Sequence, residues 1–192
     1  LATRLRELAF LNRGLTIFAR DERTETPNER TYHYEGGLVS FVQEINRAKQ
    51  PFHYIIAIIG ERNTTFFLNA TAYTEIYTES VYSFVNNINT VDGGTHVSGL
   101  KAALTRTVNV YAQHAAKKTD KDVQLQGEDI REGLSVVLSI RVPEPQFEGQ
   151  TKAKLGNSEV KGLVENIVNE QLAQFLAENP QIGKVVIGKA VE

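Results

Sequence analysis

Cysteine, methionine and tryptophan are all missing from these 192 residues. Without cysteine there can be no disulfide framework, no thiol nucleophile and no zinc ribbon, which fits a reducing cytoplasm. Without methionine there is no initiator, and a helical pattern is under way from Leu1. The chain therefore reads as an excised piece whose natural ends lie elsewhere. Long apolar runs are missing too. The longest covers residues 55–59, far below the roughly 20 a membrane-spanning helix needs. No basic segment followed by an apolar stretch opens the chain as a signal peptide would. Neither a membrane partner nor secretion is expected. An excess of one charge sign is lacking as well. With 21 basic against 23 acidic residues the net charge is -2, which argues against a surface that grips nucleic acid everywhere and leaves room for a local basic patch. What is present is 41% hydrophobic, enough for one large domain or two small ones sharing a core.

The patterning predicts an α+β chain. Leu1, Leu5, Leu8 and Leu11 recur at helical spacing before a stop at Gly14. Residues 15–20 and 30–34 are extended and joined by a charged loop. Leu38, Phe41, Val42 and Ile45 form a second helical stripe. Pro51 resets the chain, so a boundary is expected between a segment of residues 1–50 and a main unit of residues 51–192. In that unit, residues 54–60, 65–74 and 79–85 are rich in β-branched and aromatic residues. Asp92-Gly93-Gly94 forms a turn before a helix with Leu100, Ala103, Leu104, Thr107 and Tyr111 on one face. Residues 117–122 are a solvated loop, and residues 134–142 are the strongest strand. A loop over 143–156, kinked by Pro143 and Pro145 and freed by Gly149 and Gly156, is long for a mere connection. Asn157 or Ser158 then caps a long helix that Pro180 ends.

Chemistry-bearing motifs are few. There is no G-x-x-x-x-G-K-[ST], no G-x-G-x-x-G and no G-x-S-x-G. His33, His53, His96 and His114 show no metal-ligand spacing and are assigned ordinary hydrogen-bonding roles. Glu128, Asp129 and Glu132 surround Arg131 as a capped turn would, with no acid–base pairing. Lys101 and Arg106 lie off the apolar stripe of their helix, where they face either solvent or a polyanion. The long loop is the most informative stretch. Gly149, Gln150, Thr151 and Lys152 offer several hydrogen-bond donors beside one positive charge, a hand suited to a phosphate, although a polar surface turn uses the same residues.

Five stretches, in order, carry a resemblance: Arg4-Leu-Arg-Glu-Leu-Ala-Phe-Leu-Asn12, Tyr34-Glu-Gly-Gly37, Asp92-Gly-Gly-Thr-His96, Arg131-Glu-Gly-Leu134 and Gln150-Thr-Lys152. Together they resemble the transducer region of type IIA DNA topoisomerase ATPase subunits, gyrase B in particular, over nearly the whole chain. The resemblance implies an α+β domain of the ribosomal-protein type. Its mixed four-stranded sheet has helices on one side and a left-handed βαβ crossover, and a small helix–hairpin segment precedes it. It implies that Gln150 and Lys152 contact the γ-phosphate of ATP, with Thr151 less supported, and that Lys101 and Arg106 face a DNA cavity. The implied cofactors are ATP and Mg2+, with the metal and the catalytic glutamate held in a preceding GHKL ATPase domain. This chain alone should then neither hydrolyse ATP nor cut DNA. The implied partners are that GHKL domain, a second gyrase B chain, the gyrase A chain and double-stranded DNA, in the cytoplasm. The transducer of the topoisomerase IV ATPase is the near alternative. A ribosomal-type RNA-binding module is a more distant one, and the net charge of -2 disfavours it.

Overall fold

The computed structural model describes residues 1–23, 25–49, 55–60, 64–70, 79–116 and 124–191, with the backbone alone for 64–70. In chain order the elements are α1 (Ala2–Leu11), β1 (Thr16–Asp21), β2 (Asn28–His33), α2 (Leu38–Ile45), β3 (Ile56–Gly60), β4 (Thr64–Ala70), β5 (Ser80–Val85) and β6 (Ile88–Asn89). There follow α3 (Thr95–Ala116), α4 (Gly127–Arg131), β7 (Leu134–Ile140), β8 (Phe147–Glu148), β9 (Lys154–Leu155), α5 (Ser158–Glu178) and α6 (Pro180–Val191).

The central sheet runs β3-β4-β7-β5-β6. β7 is antiparallel to β4 and parallel to β5, pairing Ser80 with Ser135 and Val85 with Ile140. A parallel neighbour demands a crossover, and α3 and α4 supply it between β5 and β7. Alternate residues of β7 point to opposite faces. Val136, Leu138 and Ile140 join Leu100 and Leu104 of α3 and Val160, Val164, Val168, Leu172 and Leu176 of α5 in one core. Val137 and Phe84 point the other way, into a second core with Phe10 and Leu11 of α1 and Leu38, Phe41 and Val42 of α2.

This corrects the expected architecture twice. Among the described residues the sheet has five strands, β6 being a two-residue edge paired through Val85↔Ile88. Helices cover both of its faces, because α1 and α2 pack on the one opposite α3 and α5. α5 ends at Glu178, before Pro180 as expected, and Pro180 also opens a further helix, α6, at the position where its missing N–H costs nothing. α6 closes a smaller cluster of Val108, Ala112, Leu125 and Ala190. The capped turn around Arg131 is α4, where Asp129 Oδ2 accepts the Gln126 amide at 3.1 Å.

β3 is the edge of the sheet among the described residues, and there the side chain of Gln171 takes the place of a neighbouring strand at Ile59. Its Oε1 accepts from Ile59 N at 3.1 Å and its Nε2 donates to Ile59 O at 2.5 Å. Among the described residues no helix is long and apolar enough to cross a membrane.

Candidate functional site

Residues 143–156, expected as a long flexible loop, are held at nearly every step. β8 and β9 pair as Phe147↔Leu155 and Glu148↔Lys154. Lys154 Nζ meets Glu148 Oε2 at 2.9 Å across the pair. Below them Gly156 N donates to Gln146 O at 2.7 Å. Asn157 Oδ1 accepts from Gln146 N at 2.7 Å, and its Nδ2 donates to Glu144 O at 3.2 Å. The chain reverses at the tip with two residues in the left-handed region, Gly149 at φ 77° and Lys152 at φ 54°. Glycine takes that conformation freely; a lysine takes it at a cost of about 1 kcal/mol, which the flanking pairings offset.

The base of this hairpin is fastened to the turn before α3. Asp92 N donates to Ala153 O at 3.0 Å, Leu155 N donates to Gly93 O at 3.0 Å, and Gly94 bridges Leu155 in parallel. The approach is so close that a Cβ on Gly94 would collide with the Leu155 backbone, and Gly94 also sits at φ 132°. The turn is fixed in its own right. Gly93 N donates to Thr90 O at 2.8 Å, and Thr90 Oγ1 lies 2.7 Å from Ser83 Oγ and 3.0 Å from His96 Nε2, all of it buried.

Above this base Gln150, Thr151 and Lys152 are exposed, and none of their side chains makes a hydrogen bond or ion pair among the described residues. The hairpin thus neutralises Lys154 on itself and leaves the Lys152 ammonium and the Gln150 amide facing outward. A charged donor next to a neutral one, on backbone held in place, suits an anionic oxygen cluster.

The other candidates fall apart spatially. Lys101 Nζ pairs with Glu79 Oε2 at 3.0 Å, and Glu79 Oε1 also lies 3.4 Å from Arg131 Nε. Arg106, five residues on and so about 140° around the helix, lines a groove between α3 and α5 with Val110, Tyr111, His114 and Asn169. Of the histidines, His33 Nδ1 meets Thr16 Oγ1 at 2.9 Å and His114 is exposed. His53 lies outside the described residues. The fastening of the hairpin to residues 92–94 was not read from the sequence, although the paired glycines at 93 and 94 were its available sign.

His96 has no exposure, and burial pushes its imidazole down to about 4 from 6.5. Between those values the unfolded chain binds a proton that the folded one does not. The stability this neutral histidine preserves is therefore full above pH 6.5 and is lost as the pH falls toward 4, roughly 3 kcal/mol in all. Urea midpoints taken between pH 7.5 and 4.5 should fall in this window, and His96→Gln should flatten that part of the slope. Equal slopes in both proteins would refute the assignment.

The family model described as DNA gyrase B matches residues 37–192. The chain belongs to the DNA gyrase B family. It is 50% identical to the gyrase B of Clostridium acetobutylicum, over all of this chain and 30% of the relative. With the gyrase B of Myxococcus xanthus it shares 52% identity, over 98% of this chain and 23% of the relative. The chain thus spans less than a third of these gyrase B relatives. Among solved structures, the 43K ATPase domain of Thermus thermophilus gyrase B, in complex with an aminocoumarin, superposes with a TM-score of 0.82 at 34% identity, covering 99% of this chain and 51% of that one. The topoisomerase IV ATP-binding domain of Francisella tularensis superposes at 0.75 with 28% identity, over 98% of this chain and 50% of that one.

Proposed function

We propose that this chain is the transducer domain of a DNA gyrase ATPase subunit. It couples ATP binding and hydrolysis in a preceding GHKL domain to closure of a DNA clamp and to strand passage. The observation that carries the reading is the outward-facing, unpaired Lys152 and Gln150 at the tip of a hairpin whose backbone is held by the rest of the domain. In the intact protein the tip would reach the nucleotide bound next door. Lys152 would place its ammonium on the γ-phosphate, with Gln150 donating beside it. Both are donors without competing partners among the described residues, which is what an ATP phosphate requires. Mg2+ would sit with the preceding domain's own ligands, and no residue of this chain is assigned to it.

With the γ-phosphate present the hairpin has an ion pair to make; once phosphate has left, that pair is gone. ATP thus favours one placement of the domain over another, which is the thermodynamic requirement for a switch. Lys101 and Arg106 are proposed to face the DNA enclosed by two gyrase B chains, on separate flanks of α3, and gyrase A completes the machine. The same reading assigns left-handedness to the β5–α3–β7 crossover, a division near residue 50 and a cytoplasmic setting. Gyrase is preferred over topoisomerase IV because the family model that matches is that of DNA gyrase B and the gyrase B relatives share 45–52% identity with the chain.

The test uses the complete gyrase B assembled with gyrase A. Wild type should supercoil relaxed DNA with ATP. Gln150→Ala should lower ATP turnover by about 2- to 10-fold, the worth of one neutral hydrogen bond. Decatenation without supercoiling would move the chain to topoisomerase IV, and wild-type turnover in Gln150→Ala would remove that residue from the phosphate.

A further inference from the structure

The tip of the hairpin can hold a phosphate only as well as its base is held, and at that base Leu155 is fully buried in the main core with Phe147 packed against it. β8 and β9 contribute two residues each, too few to fix a hairpin's direction by themselves. Its remaining backbone anchors to the main body run to the turn that starts α3: Asp92 N to Ala153 O, Leu155 N to Gly93 O, and the bridge of Gly94 to Leu155. That turn is in turn spliced to the sheet by a buried hydroxyl relay. Thr90 N donates to Ser83 O at 2.9 Å and Ser83 Oγ donates to Thr90 O at 2.9 Å, while Thr90 Oγ1 reaches His96 Nε2 on the first turn of α3. Thr90 is 1% exposed and His96 0%.

We propose that the turn from Thr90 to His96 is the positioning clamp of the Lys152 hairpin, so that Thr90 and Gly94 govern γ-phosphate recognition without touching the nucleotide. The inference rests on the assignment of Lys152 to the γ-phosphate. Gly94 acts by lacking a side chain: any Cβ there drives Leu155, and with it the strand that follows Lys152, off the turn. Thr90 acts by its hydroxyl, which ties β5 to α3 at the point where the hairpin is fastened. Because backbone joins the hairpin to α3, the clamp also makes the nucleotide sensor and the helix of Lys101 and Arg106 one body. A pull on Lys152 is then delivered to α3 directly.

A residue that merely supports folding would weaken every nucleotide alike. A positioning residue should weaken only what Lys152 recognises, and ADP lacks the phosphate concerned. In the complete gyrase B, Gly94→Ala should lower ATP turnover and the affinity for a non-hydrolysable ATP analogue at least 10-fold while leaving ADP affinity within about 2-fold. Thr90→Val should do the same more mildly, and Thr90→Ser, which keeps the hydroxyl, should restore wild-type behaviour. The Thr90 pair serves where Gly94→Ala does not fold. In a Lys152→Ala background either clamp variant should cost little more, since the group it positions is gone. Clamp effects that add in full to Lys152→Ala, or that weaken ADP and the analogue equally, overturn the clamp. A normal turnover in Lys152→Ala alone overturns instead the assignment on which it rests.

Discussion

Lys152→Ala in the complete gyrase B is expected to lower ATP turnover roughly 10²–10³-fold, the usual cost of removing one donor aimed at developing charge. The lysine is the stronger member of the pair because a charged donor makes the shorter and stronger bond to an anionic oxygen. The fold should not suffer. The side chain is exposed and makes no hydrogen bond or ion pair among the described residues, so its loss should cost the fold little, and the thermal midpoint should stay within about 2 °C. Its backbone offers a control. At φ 54° alanine is strained as lysine is, whereas glycine is not. Lys152→Gly should therefore lose the same activity while unfolding no earlier than wild type. Steady-state phosphate release and thermal unfolding of the two variants, side by side, decide the matter. Turnover near wild type in either one would remove Lys152 from the nucleotide, and so would an activity loss that followed the melting temperature.

Phe10→Ala should cost about 3–5 kcal/mol of folding stability, the range for emptying a buried phenylalanine site. Phe10 is 1% exposed and lies in the second core, beneath the sheet. Its ring stacks on Tyr34 at 3.6 Å and on Phe41 at 4.7 Å, and Phe41 in turn meets Phe84 of β5 at 6.0 Å. The chain of rings connects the first helix to the central sheet, and losing its first member leaves a cavity that α1 and α2 cannot both close. Urea unfolding of the 192-residue chain, followed by circular dichroism, is the measurement. A shift of the whole transition to lower urea means that residues 1–50 and the sheet unfold together. A main transition that stays put, with a small one split off before it, would make the division near residue 50 an energetic boundary.

Much of the fold was legible because apolar spacing and helix geometry are local. Leu38, Phe41, Val42 and Ile45 announce α2, and Leu100, Ala103 and Leu104 announce α3. The two-sided burial of the sheet was legible in principle. β7 reads Leu-Ser-Val-Val-Leu-Ser-Ile, and consecutive apolar residues at Val136, Val137 and Leu138 leave neither face free for water. A strand that met helices on one side alone would alternate. Pro180 marked the end of α5, but α6 beyond it was not read, because proline can both stop one helix and start the next and only the geometry of the following residues shows the second. The hairpin at 147–155 was hidden for a different reason. Its strands are two residues long, below any periodicity, and its stability comes from residues 92–94, more than fifty positions away. The residues at its tip could be picked from composition. That Lys154 is neutralised by Glu148 while the Lys152 side chain has no polar partner among the described residues could not, since both are lysines in one short stretch.

The amide of Gln171 on the backbone of Ile59 has a bearing on solubility. An uncovered edge strand offers its N–H and C=O groups to any other chain, and Ile59, 60% exposed, would give an incoming strand an apolar neighbour to rest on. One side chain from α5 occupies both groups at that residue. Gln171 therefore acts as a cap on the end of a stack, letting the sheet stop at β3 rather than recruit a further strand from solution. Its value lies in what it keeps out, and it would be felt at high protein concentration, in a time course of light scattering, well before it was felt in a melting curve.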